Sequence, residues 1–221
     1  MTGRLRRAGL TTAVVSAVLL LTRPVSFGLA GQTASALPDR LTDQEFWALS
    51  QDSSEPGGYF RAADITNITS NELRFLDVIP DLTARVKPGG VYLGVGPEQN
   101  YTYMAAIKPK MAIIFDIRRG NLALQLMYKA MFELSNDRAD FVSMLFAKPR
   151  PAGLTSASTA QQIFAAFSTS DTSRPLYEKN LLAITAFLTK TRKLPLPQAD
   201  LDSLTITQIV NQAFRQHFER P

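Results

Sequence analysis

Gly94 and Gly96, with one residue between them, and Asp116, twenty residues after Gly96, are the residue types and spacing in this chain that point to chemistry. Glycines in a turn let the main chain approach a ligand that a Cβ would hold away. An acid about twenty residues further on accepts hydrogen bonds from a ribose hydroxyl pair. Glu98 and Asn100 follow the glycines, where a helix N-terminus would point into the pocket, and Arg118 follows the acid. Gly94, Gly96, Glu98, Asn100, Asp116 and Arg118 are therefore the candidate binding residues for a nucleoside-like or other small polar ligand. The bland alternatives stay open. The glycines also suit a tight strand-to-helix turn with no ligand, Asp116 also suits a helix N-cap, Glu98 also suits the helix dipole, and Arg118 and Arg119 read more naturally as a solvated face.

Such groups need a frame. Val91 to Leu93 and Met111 to Phe115 are apolar runs without alternation, as expected for parallel strands covered on both faces. The spacing of Leu122, Leu126, Met127, Ala130 and Leu134 predicts a long helix over 117–134. Upstream, Thr42 and Glu45 form a capping box that opens a helix over 43–50. Thr69 and Glu72 form a second one, opening a helix that carries Leu73, Leu76 and Ile79; Pro80 should interrupt it, with a kink or a restart at Asp81. Helices are expected over 137–147, 158–167, 175–192 and 204–218, with polar or proline-bearing links at 169–174 and 193–202. Residues 51–58 read as a loop, and the glycine-bearing stretch 54–60 is the candidate cover for the pocket, with Tyr59 and Arg61 as substrate-binding candidates; an ordinary turn is the alternative. Only two core strands can be placed, and such a sheet needs substantial cover. Either the helical C-terminal half supplies it, or the chain is a shortened version of something longer.

Composition narrows the chemistry. The chain has 221 residues and 45% hydrophobic residues, ordinary for a globular protein. Its net charge of +5 is mostly N-terminal: Arg4, Arg6, Arg7 and Arg23 fall in residues 1–36, which hold no acid. The remainder is nearly neutral and lacks a basic stripe, so nucleic acid is not an expected partner. Residues 1–36 have the layout of an export signal: a basic start, an apolar run over 8–22 and Ala34-Ser35-Ala36 as a small-residue cleavage site. The expected location is periplasmic or secreted, with membrane contact only through this signal; the alternative is an N-terminal anchor. Cysteine is absent and His217 is the sole histidine, which argues against disulfides, thiol nucleophiles, histidine triads and a transition-metal site. Carboxylate pairs such as Asp137 and Asp140 read as solvated surface. No catalytic residue follows from the sequence.

The run Val91–Glu98 with Ile113–Arg118 resembles the first half of the class I S-adenosylmethionine-dependent methyltransferases. In that family the first strand ends in an acid-x-Gly-x-Gly-x-Gly turn and the second ends in an acid. The resemblance covers about residues 71–135. It implies an α/β fold with a Rossmann-like half-sheet and a mostly helical C-terminal part, with Gly94 and Gly96 passing the methionine and ribose and Asp116 on the ribose hydroxyls. S-adenosylmethionine would be the cofactor and methyl transfer the activity. Tyr92 stands where the first acid belongs, and Glu98 where the third glycine belongs. The alternative is a catalytically silent envelope protein acting as a structural or partner-binding module. Residues 90–121, with 54–60 and 70–72, also resemble a family of exported bacterial proteins of no established activity, which implies a short or truncated member. The expected organisation is a signal peptide at 1–36, a Rossmann-like domain at 37–150 and a helical segment at 151–221.

Overall fold

In the computed structural model, residues 38–54, 70, 72 and 74–204 are described. They form a mixed α/β structure that is mostly helical, with one small parallel sheet. The elements are α1 (Asp43–Asp52), a tight 3-10 turn (Phe75–Val78), α2 (Ile79–Arg85), β1 (Val91–Val95), α3 (Gln99–Ile107), β2 (Met111–Phe115), α4 (Arg119–Leu134), α5 (Arg138–Phe146), α6 (Ala160–Ser168), α7 (Arg174–Ala186), a π-helical turn (Phe187–Thr191) and α8 (Gln198–Leu204).

β1 and β2 pair in parallel, with Val91 opposite Met111, Leu93 opposite Ile113 and Val95 opposite Phe115. Their lead-ins are stitched by Gly89 N donating to Lys108 O (3.0 Å) and Lys110 N donating to Gly90 O (2.8 Å). Gly89 sits at φ +88°, a conformation that favours glycine. The connection through α3 is the helical crossover a parallel pair requires.

The core is built on α4 rather than on the sheet. Leu124, Leu126, Met127, Tyr128, Ala130 and Met131 of α4 are buried. They pack with Leu145 of α5, Ile184 of α7, Leu188 of the π-helical turn, Leu194, and Leu204 of α8. A smaller cluster joins Ala139 and Val142 of α5 to Ile163 and Phe167 of α6. Arg192 binds Asp43 of α1 (3.5 Å) and Glu133 of α4 (2.8 Å), fastening the first helix to the central one.

Several expectations need correction. α2 restarts at Ile79, not Asp81, because Pro80 falls in its first turn, where its missing N–H is no loss. The Thr42 capping box forms as read, whereas Thr69 of the second lies outside the described residues. α8 occupies part of the stretch taken as a polar link, 193–202. The strands are not covered on both faces by described residues. Val91, Leu93 (65% exposed), Val95 (60%), Ile113 and Phe115 (53%) share one face and remain open. On the other face Gly94 is buried against α3. The expected helix 204–218 lies, after Leu204, outside the described residues.

Candidate functional site

The two glycines of the turn have different jobs. A Cβ on Gly94 would lie 2.1 Å from Asn100 Oδ1 and 2.7 Å from Tyr92 Cε1. Gly94 is thus a notch filled by the protein's own side chains. Asn100 is 2% exposed and its amide is fully used. Nδ2 donates to Val95 O (3.1 Å) and Pro97 O (2.7 Å), and Oδ1 accepts from Tyr92 Oη (2.6 Å). Asn100 therefore sits inside the turn and holds its shape. Tyr92 anchors that amide, and its phenol is pushed up by burial.

Gly96 is the open one. It adopts φ +81°, and a Cβ there would meet only Asp116 Oδ2, at 3.7 Å. The acid at the end of β2 thus faces the glycine turn at the end of β1, where open parallel sheets usually bind ligands. Gly96 N donates to Phe115 O (3.1 Å), tying the two strand ends together. Its carbonyl accepts from Asn121 Nδ2 (3.2 Å) and Gln125 Nε2 (3.1 Å), two amides one turn apart on α4. Tyr101 Oη donates to Gln125 Oε1 (2.6 Å) and completes the brace. Burial, with the nearby Glu98 charge, holds the Tyr101 phenol well above its ordinary range.

Asp116 Oδ1 accepts from Arg118 N (2.8 Å), so the carboxylate shapes the entry to α4. The N-cap itself is Arg118, without a side-chain cap. Among the described residues Asp116 Oδ2 carries no hydrogen bond. Glu98 is the N-cap of α3 but does not cap it with its side chain. Its carboxylate instead accepts the backbone N–H of Ser70 (3.0 and 3.2 Å), drawing an upstream segment onto the turn. Arg119 is exposed, as read, but it is not free. It grips the buried Asp200 of α8 through Nε (3.0 Å) and Nη2 (2.8 Å). Tyr59, Arg61 and His217 lie outside the described residues.

The structure brings Gly94, Gly96, Asn100 and Asp116 into one place, with Glu98 beside them. Sequence reading missed the Tyr92, Tyr101, Asn121 and Gln125 braces. The available signal was a pair of amides at i and i+4 on a helix face that is otherwise apolar. Asp200 gave no comparable signal, because its partner is 81 positions away.

Asp137 and Asp140 are not merely solvated surface either. Both hold Arg150: Asp137 through 2.7 and 2.8 Å contacts, Asp140 through Nη1. Asp137 also caps α5 by accepting from Asp140 N (2.9 Å). The Arg150 guanidinium, with that backbone N–H, holds the Asp137 carboxyl down at about 2 against its ordinary 3.8. A depressed acid stabilises the fold above its unfolded value and loses that contribution as pH falls through its folded value. The melting-temperature gap between wild type and Asp137→Asn should therefore be constant above about pH 5 and close towards about pH 2. A gap that persists unchanged at the acid end of a calorimetric pH series would contradict the ion pair.

Residues 67–192, more than half of the chain, match the family model described as "Domain of unknown function (DUF7790)". The matched span holds both strands, the glycine turn and α4. No curated protein and no solved structure matches the chain. No helix among the described residues is long and apolar enough to cross a membrane.

Proposed function

Given that the chain belongs to the DUF7790 family, we propose that it binds a nucleoside-like or other small polar ligand at the carboxyl ends of β1 and β2. On this reading the sheet is a Rossmann-like, methyltransferase-type half-sheet. The observation that supports it is the open Gly96 turn at φ +81° facing Asp116 Oδ2. Gly96 would let main chain pass close to the ligand, and Asp116 would accept its ribose hydroxyls through the oxygen not engaged by Arg118 N. The Asn121 and Gln125 amides would keep the turn rigid, which limits the entropy cost of binding. S-adenosylmethionine is the proposed cofactor; when bound, it supplies an electrophilic methyl group. The chain's share in a transfer would be to hold donor and acceptor in line.

A second reading is favoured by a specific observation. Asn100 fills the Gly94 notch and Tyr92 replaces the first acid, so the turn is stable without a ligand. The protein would then be a catalytically silent envelope module. Export through residues 1–36 belongs to both readings, and fractionation of the expressed full chain tests it: a full-length cytoplasmic product would overturn it.

Calorimetric titration of the protein with S-adenosylmethionine and S-adenosylhomocysteine separates the two readings. On the first, binding is saturable and Asp116→Ala weakens it by about 10- to 100-fold, the worth of one or two hydrogen bonds to a charged group. Absence of heat together with absence of any melting-temperature shift for either ligand would sink the methyl-transfer reading.

A further inference from the structure

A surface recess opens where the first turn of α3 meets the last two turns of α4. It holds about 300 Å³ and is lined by Tyr101, Lys129, Phe132 and Glu133. Neither Gly96 nor Asp116 lines it. Half of its lining is aromatic. The rings of Tyr101 and Phe132 meet edge to face at 5.3 Å, and Phe132 stacks on Phe141 at 4.8 Å. Phe132 is nonetheless 52% exposed, so much of its ring is left to water after its own partners are in place. Tyr101 Oη donates to Gln125 Oε1 (2.6 Å), which fixes the neighbouring ring before anything binds. A ledge set in advance loses little freedom on binding.

The charged groups of the recess are unevenly spent. Glu133 accepts from Arg192 Nη2 at 2.8 Å, and Arg192 is held in turn by Asp43 and by the face of Phe187. Lys129 Nζ comes only within 3.8 Å of the same Glu133 carboxylate, too far for a hydrogen bond. Among the described residues its ammonium has no nearer acceptor. An aromatic lining with a few placed polar groups is the usual make-up of a small-molecule site. We propose that this recess is a second binding site, separate from the Gly96 turn, and that it takes a small planar aromatic monocarboxylate. The ligand's ring lies on Phe132 and Tyr101, in the offset or edge-to-face contacts that aromatic pairs prefer. Its carboxylate accepts from Lys129 Nζ. One ammonium beside a carboxylate suits a monoanion, whereas a phosphate dianion would also face the Glu133 charge. The volume stands at the lower end for ligand pockets, which limits the ligand to one ring or two fused rings.

Indole-3-acetate is the probe, and its neutral amide, indole-3-acetamide, is the control. Each is titrated into the full chain and followed by amide NMR shifts. The expected result is saturable binding of the acid with a dissociation constant of about 1 mM, ordinary for an open site and a ligand of this size. The largest shifts should fall at Tyr101, Lys129, Phe132 and Glu133. The amide should bind about three- to fivefold more weakly, the worth of an exposed ion pair. Lys129→Met keeps the apolar stem and removes the charge, so it should bring the acid down to the affinity of the amide and leave the amide unchanged. Phe132→Ala should weaken both by about three- to tenfold. Lys129 is a surface residue, so its variant keeps the test sound even if Phe132→Ala disturbs the aromatic cluster. Absence of saturable shifts up to about 20 mM, tenfold and more above the expected constant, overturns the proposal. So do shifts centred on Gly96 and Asp116 instead, or equal binding of acid and amide in the wild type.

Discussion

Gly94→Ala lowers the melting temperature by about 5–12 °C, the equivalent of roughly 2–4 kcal/mol in a domain of this size. The added Cβ would stand 2.1 Å from Asn100 Oδ1 and 2.9 Å from Asn100 Cγ, closer than any real contact. Asn100 has one short side chain and three hydrogen bonds holding it, to Val95 O, Pro97 O and Tyr92 Oη. It cannot yield without leaving buried partners unsatisfied, each at about 1–3 kcal/mol. Gly96→Ala is the control. Its Cβ meets nothing closer than 3.7 Å, so its cost is backbone strain alone, about 1–2 kcal/mol. Scanning calorimetry should rank Gly94→Ala below Gly96→Ala in stability. Ligand affinity in the surviving fold should rank the other way, because only Gly96 opens towards Asp116. The reverse stability order would show that the Gly94 notch is not filled as described.

Leu124→Ala costs about 2–5 kcal/mol, the range for deleting a fully buried leucine side chain. Leu124 is 1% exposed, in the cluster that joins α4 to Ile184, Leu188 and Leu204. Its loss leaves a cavity between four elements that cannot all close on it, so the upper half of the range is expected. The denaturant midpoint should fall with the slope unchanged, the mark of a stability effect rather than a looser denatured state. Leu182→Ala, on the exposed side of α7, is 72% exposed and should stay within about 0.5 kcal/mol of wild type. Equal losses at the two positions would deny α4 its place at the centre. α4 also carries Asn121 and Gln125, so it links core and turn: the helix that supplies most of the packing is the one that braces Gly96 O.

Much of this was legible from the residues alone, where the cause is local. The Thr42 capping box is decided by groups three positions apart, and it forms as read. β2 was read at its observed bounds from a continuous apolar run. Of the helical stripe read on α4, Leu126, Met127 and Ala130 are buried and Leu122 and Leu134 half-buried. Pro80 marks a point of change, but the helix starts two residues before the expected Asp81, since a proline can open a helix as readily as break one.

What the residues alone could not decide was every contact between positions far apart. The Gly94-Val95-Gly96 spacing marked the turn, but only packing shows that one glycine makes room for Asn100 while the other faces Asp116. Arg119 read as a surface cation until folding placed Asp200 beside it. Asp137 and Asp140 read as solvated until Arg150 arrived from beyond α5. The sequence by itself determined where α1 opens and where both strands begin, because caps and hydrophobic period act within about one turn of chain. The tertiary structure decided which polar groups are spent inside the fold and which remain for a ligand, because that depends on neighbours brought together only when the chain closes on α4.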